Sequence, residues 1–364
     1  MNFILNFFVE NSDGLYERYE EFHYEKGYTI EEIKELLGMA GLEFEAVYDE
    51  LTFEEPKENS QKVSFVAKVN RRNRNGLYLR ASAGDGAVRI FVANTHDTVQ
   101  KAFEIHKTSP VMSAALGRAL TGVAIMGSML KNDNDLVTIT IKGDGPGKGL
   151  TVTSNSKSQV KGYVYNPIVD IPLKPNGKLD VQEALGFGDL TVIKDIGMKE
   201  PYVGTIPLIS GEIAEDLTYY FAKSEQIPSA VALGVLVDRD YSIKQSGGFI
   251  IQMMPDAPEE IISAIEEKLK VIEPLTTMLD KGMTQEDILN ELVGDFDPHI
   301  LDKIPVEYYC NCSKERVEKA LISIGKDEIQ DIIENEGSTS LHCHFCNKDY
   351  EFSKEELEAL LKRI

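Results

Sequence analysis

The spacing of apolar positions changes along the chain, and each change predicts a different element. Thr29 and Glu32 are spaced as a capping box, Ile30, Ile33, Leu36, Leu37 and Ala40 share one helical face, and Gly41 supplies a stop. Leu42, Phe44, Ala46 and Tyr48 then alternate with other residues, as do Val63, Phe65, Ala67 and Val69 beyond a polar turn around Pro56. That alternation predicts two antiparallel strands. One helix and two strands offer too little apolar surface for a comfortable independent domain and need something to pack on.

From Leu77 the pattern becomes short strands, Gly-rich turns and intervening helices. LVTITIKG and LTVTSNSK read as strands around the turn GDGPGKG, and His96 to Met129 reads as mainly helical, with a run of small residues suited to close packing. Further strands are expected in YVYNPIVDI, LTVIKDIG, YVGTIPL and ALGVLV. The fold class is α+β. A helical stretch begins at Pro258, carries Ile261, Ile262, Ile265, Leu269 and Ile272 on one face, and is broken at Pro274 and Gly282. Thr284 caps a further segment with Ile288, Leu289, Leu292 and Val293, while helices are expected after Ser313, near Ile329 and after Ser353, which is paired with Glu356. The expected organisation is a helix-hairpin fragment over residues 1–74, a core domain over 75–257, a helical linker over 258–309 and a small α+β domain over 310–364.

Charge sharpens the first boundary. Residues 1–60 hold 16 acids and 4 bases, whereas 61–74 hold five bases, ending in Arg71, Arg72 and Arg74, and no acid. Across all 364 residues the formal charge is -22, which argues against broad binding to nucleic acid or anionic membranes. Apolar runs such as Val231 to Val237 are strand-sized, short of the ~20 residues of a spanning helix. The opening MNFILNFFVE lacks a basic segment and reaches Glu10 early, unlike a signal peptide, so a cytoplasmic location is expected.

The four cysteines all lie in the last domain, as Cys310-Asn-Cys312 and Cys343-His-Phe-Cys346, with 30 residues between the pairs. Secreted proteins spread disulfides along the chain, so this clustering points to one local site. Two tight turns, each presenting two sulfurs, make a tetrahedral site for Zn2+ from Cys310, Cys312, Cys343 and Cys346. His342 and His344 flank Cys343 and could replace a sulfur, so a mixed site stays open. Lys314, Arg316 and Lys348 either balance thiolate charge or are solvated surface residues. A permanent structural zinc site in an interaction module is one reading. The other is a redox switch, because thiolates are the form that oxidants attack and metal binding is folding energy for so small a domain.

The stretches TSPVMSAALGRALT, GDGPGKG, KGYVYNP, VIKDIGMKEPYVGTIPLISGEIAEDLTYYFAKSEQIPSAVALGVLV, GGFIIQMMP, YYCNCSKERVEKALISIGKDEI and HCHFCNKDYEF resemble, collinearly from about residue 75 to the end, the 33 kDa chaperonins, a family of redox-regulated heat-shock chaperones. The resemblance implies a non-enzymatic holdase for unfolding client proteins, quiet when reduced and zinc-bound. It further implies that oxidation joins Cys310 to Cys312 and Cys343 to Cys346, releases zinc, loosens the linker and exposes apolar client-binding surface, often with homodimerisation. Such a family starts near residue 75 here. The preceding stretch YEEFHYEKGYTIEEIKELLGMAGLEFEAVYD resembles the carboxyl-terminal helix and hairpin of class I S-adenosylmethionine methyltransferases, without the strand and Gly-rich turn that would bind the methyl donor.

Other motifs carry less. Gly143, Gly145, Gly147 and Gly149 with Lys148 lack the phosphate-loop spacing and read as a tight turn. Ser210-Gly-Glu212 and Ser224-Glu225 have no evident histidine partner for a hydrolase, and His96 and His106 read as helix residues.

Overall fold

The computed structural model describes residues 2–10, 16–24, 27–39, 42–50, 52–57, 60, 62–69 and 76–363. The chain divides into two compact units, Met1–Arg71 and Arg72–Ile364. In the first, β1 (Asn2–Glu10) and β2 (Tyr16–Tyr24) pair antiparallel with Phe3 opposite His23. Helix α1 (Ile30–Met39) leads to β3 (Leu42–Asp49) and β4 (Val63–Val69), antiparallel with Val47 opposite Phe65. The capping box forms: the Thr29 amide donates to Glu32 at 2.7 Å and the Glu32 amide to Thr29 Oγ1 at 3.1 Å. The expected helix stop at Gly41 and the basic run Arg71, Arg72 and Arg74 lie outside the described residues. The β1–β2 hairpin was not expected, because Phe7-Phe8-Val9 breaks alternation and Tyr16, Tyr19 and Phe22 recur at helical spacing.

The second unit starts with β5 (Leu77–Ala83), β6 (Val88–Asn94), α2 (His96–His106) and α3 (Pro110–Ser128). There follow β7 (Leu136–Gly143), β8 (Gly149–Asn155), β9 (Gln159–Val164), α4 (Val181–Leu185), β10 (Gly188–Asp195), β11 (Tyr202–Pro207), α5 (Ala214–Tyr220), β12 (Ser229–Val237) and β13 (Ile243–Met253). Helices α6 (Glu259–Val271), α7 (Leu275–Asp280) and α8 (Gln285–Val293) lead to strands β14 (His299–Pro305) and β15 (Glu307–Tyr308). The chain ends with α9 (Lys314–Ile324), α10 (Lys326–Asn335), a hairpin of β16 (Thr339–Cys343) and β17 (Lys348–Phe352), and α11 (Lys354–Leu361). Ser353 and Glu356 form the capping box read from the sequence, and Ser313 caps α9.

Two sheets organise this unit, in the orders β11-β10-β7-β8-β9-β15 and β12-β13-β6-β5-β14. Helix α3 packs against strands of both, and its side chains join Tyr78, Phe91, Ile139, Val152 and Val192 in one core. Small residues permit that approach: a Cβ on Gly127 would lie 2.5 Å from the Asn155 carbonyl oxygen. By length and composition α3 alone among the described helices could cross a bilayer, contrary to the expectation that no run was long enough, but 94% of its apolar window is buried inside the fold. Ala, Gly, Ser and Thr along α3 hid its length as an apolar element.

The five-stranded sheet has a second apolar face, and α6, α7 and α8 cover it. Ile265, Leu275, Met278, Leu279, Ile288, Leu289, Leu292 and Val293 pack with Leu79, Ala81, Val88, Ile90, Val92, Phe249 and Ile251. Pro274 and Gly282 break the stretch as expected, and Thr284 caps α8 by accepting the Asp287 amide. The helical reading of residues 258–309 needs correction at its end, where the chain is strand. There β14 pairs antiparallel with β5 and β15 parallel with β9, so this tail joins both sheets. Backbone pairing with strands distant in sequence decides that outcome. The strand expected over YVYNPIVDI is also displaced: β9 ends at Val164, ahead of Asn166 and Pro167, whose ring removes a ladder donor.

Candidate metal and redox centre

Cys310 and Cys312 follow β15 directly, so pairing of that strand with β9 fixes where the first two sulfurs emerge. Cys343 ends β16, and the turn to β17 brings Cys346 back with its amide and that of Asn347 donating to the Cys343 carbonyl at 3.2 and 2.8 Å. Asn347 takes φ 52°, which asparagine tolerates in such a turn. Beneath this hairpin, Leu321, Ile329, Ile333, Phe352, Leu357 and Leu360 form a separate small core.

The four Sγ atoms lie within 4.8 Å of one another and form the only group of three or more potential metal ligands among the described residues. Cys310 Sγ is 3.8 Å from Cys343 Sγ, and Cys312 Sγ is 3.2 Å from Cys346 Sγ. A tetrahedron with Zn–S bonds of about 2.3 Å has edges of about 3.8 Å, so the donor set and spacing fit one zinc ion. Close contacts run across the two pairs, as expected of ligands sharing one centre.

Electrostatics favours a cation here. Burial pushes the Cys310 thiol up, and the neighbouring Cys343 sulfur adds to that. Burial also raises Cys346, helped by the Cys312 thiol. At Cys312 burial acts the same way but is outweighed by hydrogen bonds from Tyr350 and the adjacent thiols, which bring it to about 7. Four thiolates in this space repel one another, and a divalent cation converts the repulsion into binding. Tyr350 Oη donates to Cys312 Sγ at 3.0 Å, and the Lys348 amide supports Cys346.

The flanking residues divide clearly. His342 binds Asp349 at 2.7 Å and His344 stacks on Tyr163, so neither histidine enters the sulfur cluster. Lys314 pairs with Glu356 and lies over Phe352, whereas Arg316 lines the cleft beside Cys310 and Cys312. Lys348 matters through its backbone. Tyr350 and Tyr308 escaped notice in the sequence, because tyrosines in short alternating strands carry no metal signature.

Elsewhere the structure gives the other motifs plain roles. The Gly145 and Gly147 amides donate to the carbonyls of Leu185 and Ala184, so that turn has no free cradle for phosphate. Glu212 is held by Arg118 and Lys174, and Glu225 by Lys194, which leaves neither as a free base. His96 bridges Asp97 and the Ile243 carbonyl, and His106 Nε2 lies 3.1 Å from Tyr308 Oη.

Comparison with known proteins finds relatives that span most of the chain. The model of the Hsp33 protein family matches residues 77–353. A curated relative, the 33 kDa chaperonin of Lachnoclostridium phytofermentans, is 54% identical over 289 residues, covering 79% of this chain and 99% of the relative. The 33 kDa chaperonin of Clostridioides difficile is 52% identical over 287 residues, covering 79% and 98%. Among solved structures, the 33 kDa chaperonin of Thermotoga maritima superposes with a TM-score of 0.74 at 37% identity, covering 79% of this chain and 98% of that one. With a family model spanning most of its length and relatives above half identity over nearly their whole length, this chain belongs to the Hsp33 protein family.

Proposed function

We propose that this chain is a redox-regulated chaperone of the holdase type, acting on unfolding proteins in the cytoplasm under oxidative stress. The observation that carries this reading is the coincidence of a four-sulfur cluster with a helical segment, ahead of it in the chain, that covers an apolar sheet face. In the reduced state Cys310, Cys312, Cys343 and Cys346 would hold Zn2+, which would keep the sulfurs as thiolates and order residues 310–363. A peroxide oxidises one thiolate of a pair to sulfenic acid, leaving hydroxide; the second thiolate displaces hydroxide and closes the disulfide. Each pair surrenders two electrons, and the peroxide ends as water after protonation. On this reading Cys310 joins Cys312 and Cys343 joins Cys346, the ligands are gone, and the small core of the last domain lacks its anchor.

Loss of that anchor frees β15 and β14, then α6 to α8. The face formed by Leu79, Val88, Ile90, Val92, Phe249 and Ile251, nearly fully buried in this structure, becomes available to non-native chains. Two exposed faces of this kind also favour a homodimer of the oxidised form. Nothing in this sequence of events requires catalysis on the client. The test is metal release with disulfide mapping: peroxide is expected to free about one zinc per chain and to give bonds within each cysteine pair. Retention of zinc under peroxide would instead identify a permanent structural site in an interaction module.

A further inference from the structure

The residues lying between the paired cysteines do more than set their spacing. Asn311, inside the first pair, accepts a 2.7 Å hydrogen bond from Lys161 Nζ on β9. Phe345, inside the second, sits edge-on to Tyr163 with ring centroids 5.2 Å apart, and Lys161 lies 4.8 Å from its ring centre. His344 stacks on the same tyrosine at 5.3 Å, and Asn347 donates to the Ile105 carbonyl near the end of α2 at 2.8 Å. The single proton of Tyr308 Oη is shared between the carbonyls of Gly162 on β9 and Phe345 in the cysteine turn. Tyr308 is therefore bonded to the core and to the cysteine turn at once.

We propose that the two cysteine turns are the foot by which the last domain stands on β9 and α2, and that Tyr163 and Tyr308 are the positioning residues that transmit the state of the sulfurs to β15 and the linker. This rests on the redox-switch reading for its purpose, though not for its geometry. The turns are short, so Asn311, His344 and Phe345 keep their places only while the four sulfurs converge. Closing each pair on itself removes the convergence and hence the seat. β15 has two residues and one strand partner, and Val306 just ahead of it is tied to Gly76 and Thr98, so the foot adds a further restraint at the cysteine end of the path to β14.

The test uses the full-length, reduced, zinc-loaded protein and Tyr163→Ala, a change on the core side that leaves every residue of the cysteine turns intact. Tyr308→Phe is the second variant, removing only a hydroxyl. Hydrogen exchange is read at the Val306 and Tyr309 amides, which donate to Gly76 and Val160. Loss of two ring contacts predicts exchange about ten-fold faster in Tyr163→Ala, and a smaller rise in Tyr308→Phe, with zinc content unchanged. Wild-type exchange in both variants would overturn the proposal. So would loss of zinc from Tyr163→Ala, since the tyrosine would then support the metal site itself rather than a separate seat. The exchange readout needs no chaperone activity, so an oxidised wild type that fails to hold clients would refute the redox-switch reading while leaving this result to stand or fall separately.

Discussion

The segment that covers the sheet should be easiest to release at α6. Nearly all of the 19 residues of α3 are buried, whereas in the 13 residues of α6 only Ile265 is fully so, with Ile261 and Leu269, and Ile272 just past its end, partly covered. Replacing a buried isoleucine by alanine costs about 2–5 kcal/mol, and a peripheral amphipathic helix can settle into part of the space, which places Ile265→Ala at about 2–3 kcal/mol. At 1.4 kcal/mol per factor of ten, the undocked population of α6 should rise about 30- to 150-fold. Amide exchange along α6 in the reduced, zinc-loaded protein reads this directly, with amides of β7 and β8 as the unchanged reference. Partial client holding without oxidant should accompany it. Exchange in α6 within two-fold of wild type would show that Ile265 does not hold the helix down and would refute the picture of a thinly anchored cover.

Other perturbations separate the parts of the switch. Cys346→Ser should abolish stable zinc binding and unfold residues 310–363, seen as lost exchange protection in α9 to α11 with β7 and β8 intact. Thr284→Ala removes the α8 cap and should cost about 1 kcal/mol, read as a lower denaturation midpoint of the linker and faster exchange there. Gly143→Ala should destabilise the core domain, because the new Cβ would lie 1.9 Å from the Leu185 carbonyl oxygen; a thermal melt should show this with zinc affinity unchanged. His106 is held below the usual histidine value by burial, so its neutral form favours the folded state. That contribution is fully present above about pH 6.5 and is lost as pH falls through the lower folded value. Between pH 7.5 and 5.5 the wild-type melting temperature should therefore fall more steeply than that of His106→Gln.

Most of the local elements were written in short-range pattern. Thr29 with Glu32, Thr284 with Asp287 and Ser353 with Glu356 satisfy their helix starts by hydrogen bonds within three residues, so those boundaries are legible without tertiary knowledge. The cysteine centre was legible for a similar reason: spacing inside each pair is a local property, and the thiols occur nowhere else in the chain. What was hidden depends on distant partners. Residues 299–305 and 307–308 became strand because Leu77–Ser82 and Gln159–Val160 offered ladder partners, and no periodicity in HILDKIPVEY announces that. Tyr308, Tyr163 and Lys161 acquire meaning only once β9 and the cysteine turns are neighbours. Methyltransferase likeness of the first residues, in turn, bears on a unit that precedes the start of the family match at residue 77.

Light scattering by a chemically unfolded client, diluted into buffer with the full-length protein, tests the central claim most directly. The reduced, zinc-loaded protein should leave aggregation close to its uninhibited course, and the peroxide-treated, zinc-free protein should suppress it at near-stoichiometric ratio. Equal suppression in both states, or none in either, would contradict a chaperone whose client surface is uncovered by oxidation of Cys310, Cys312, Cys343 and Cys346.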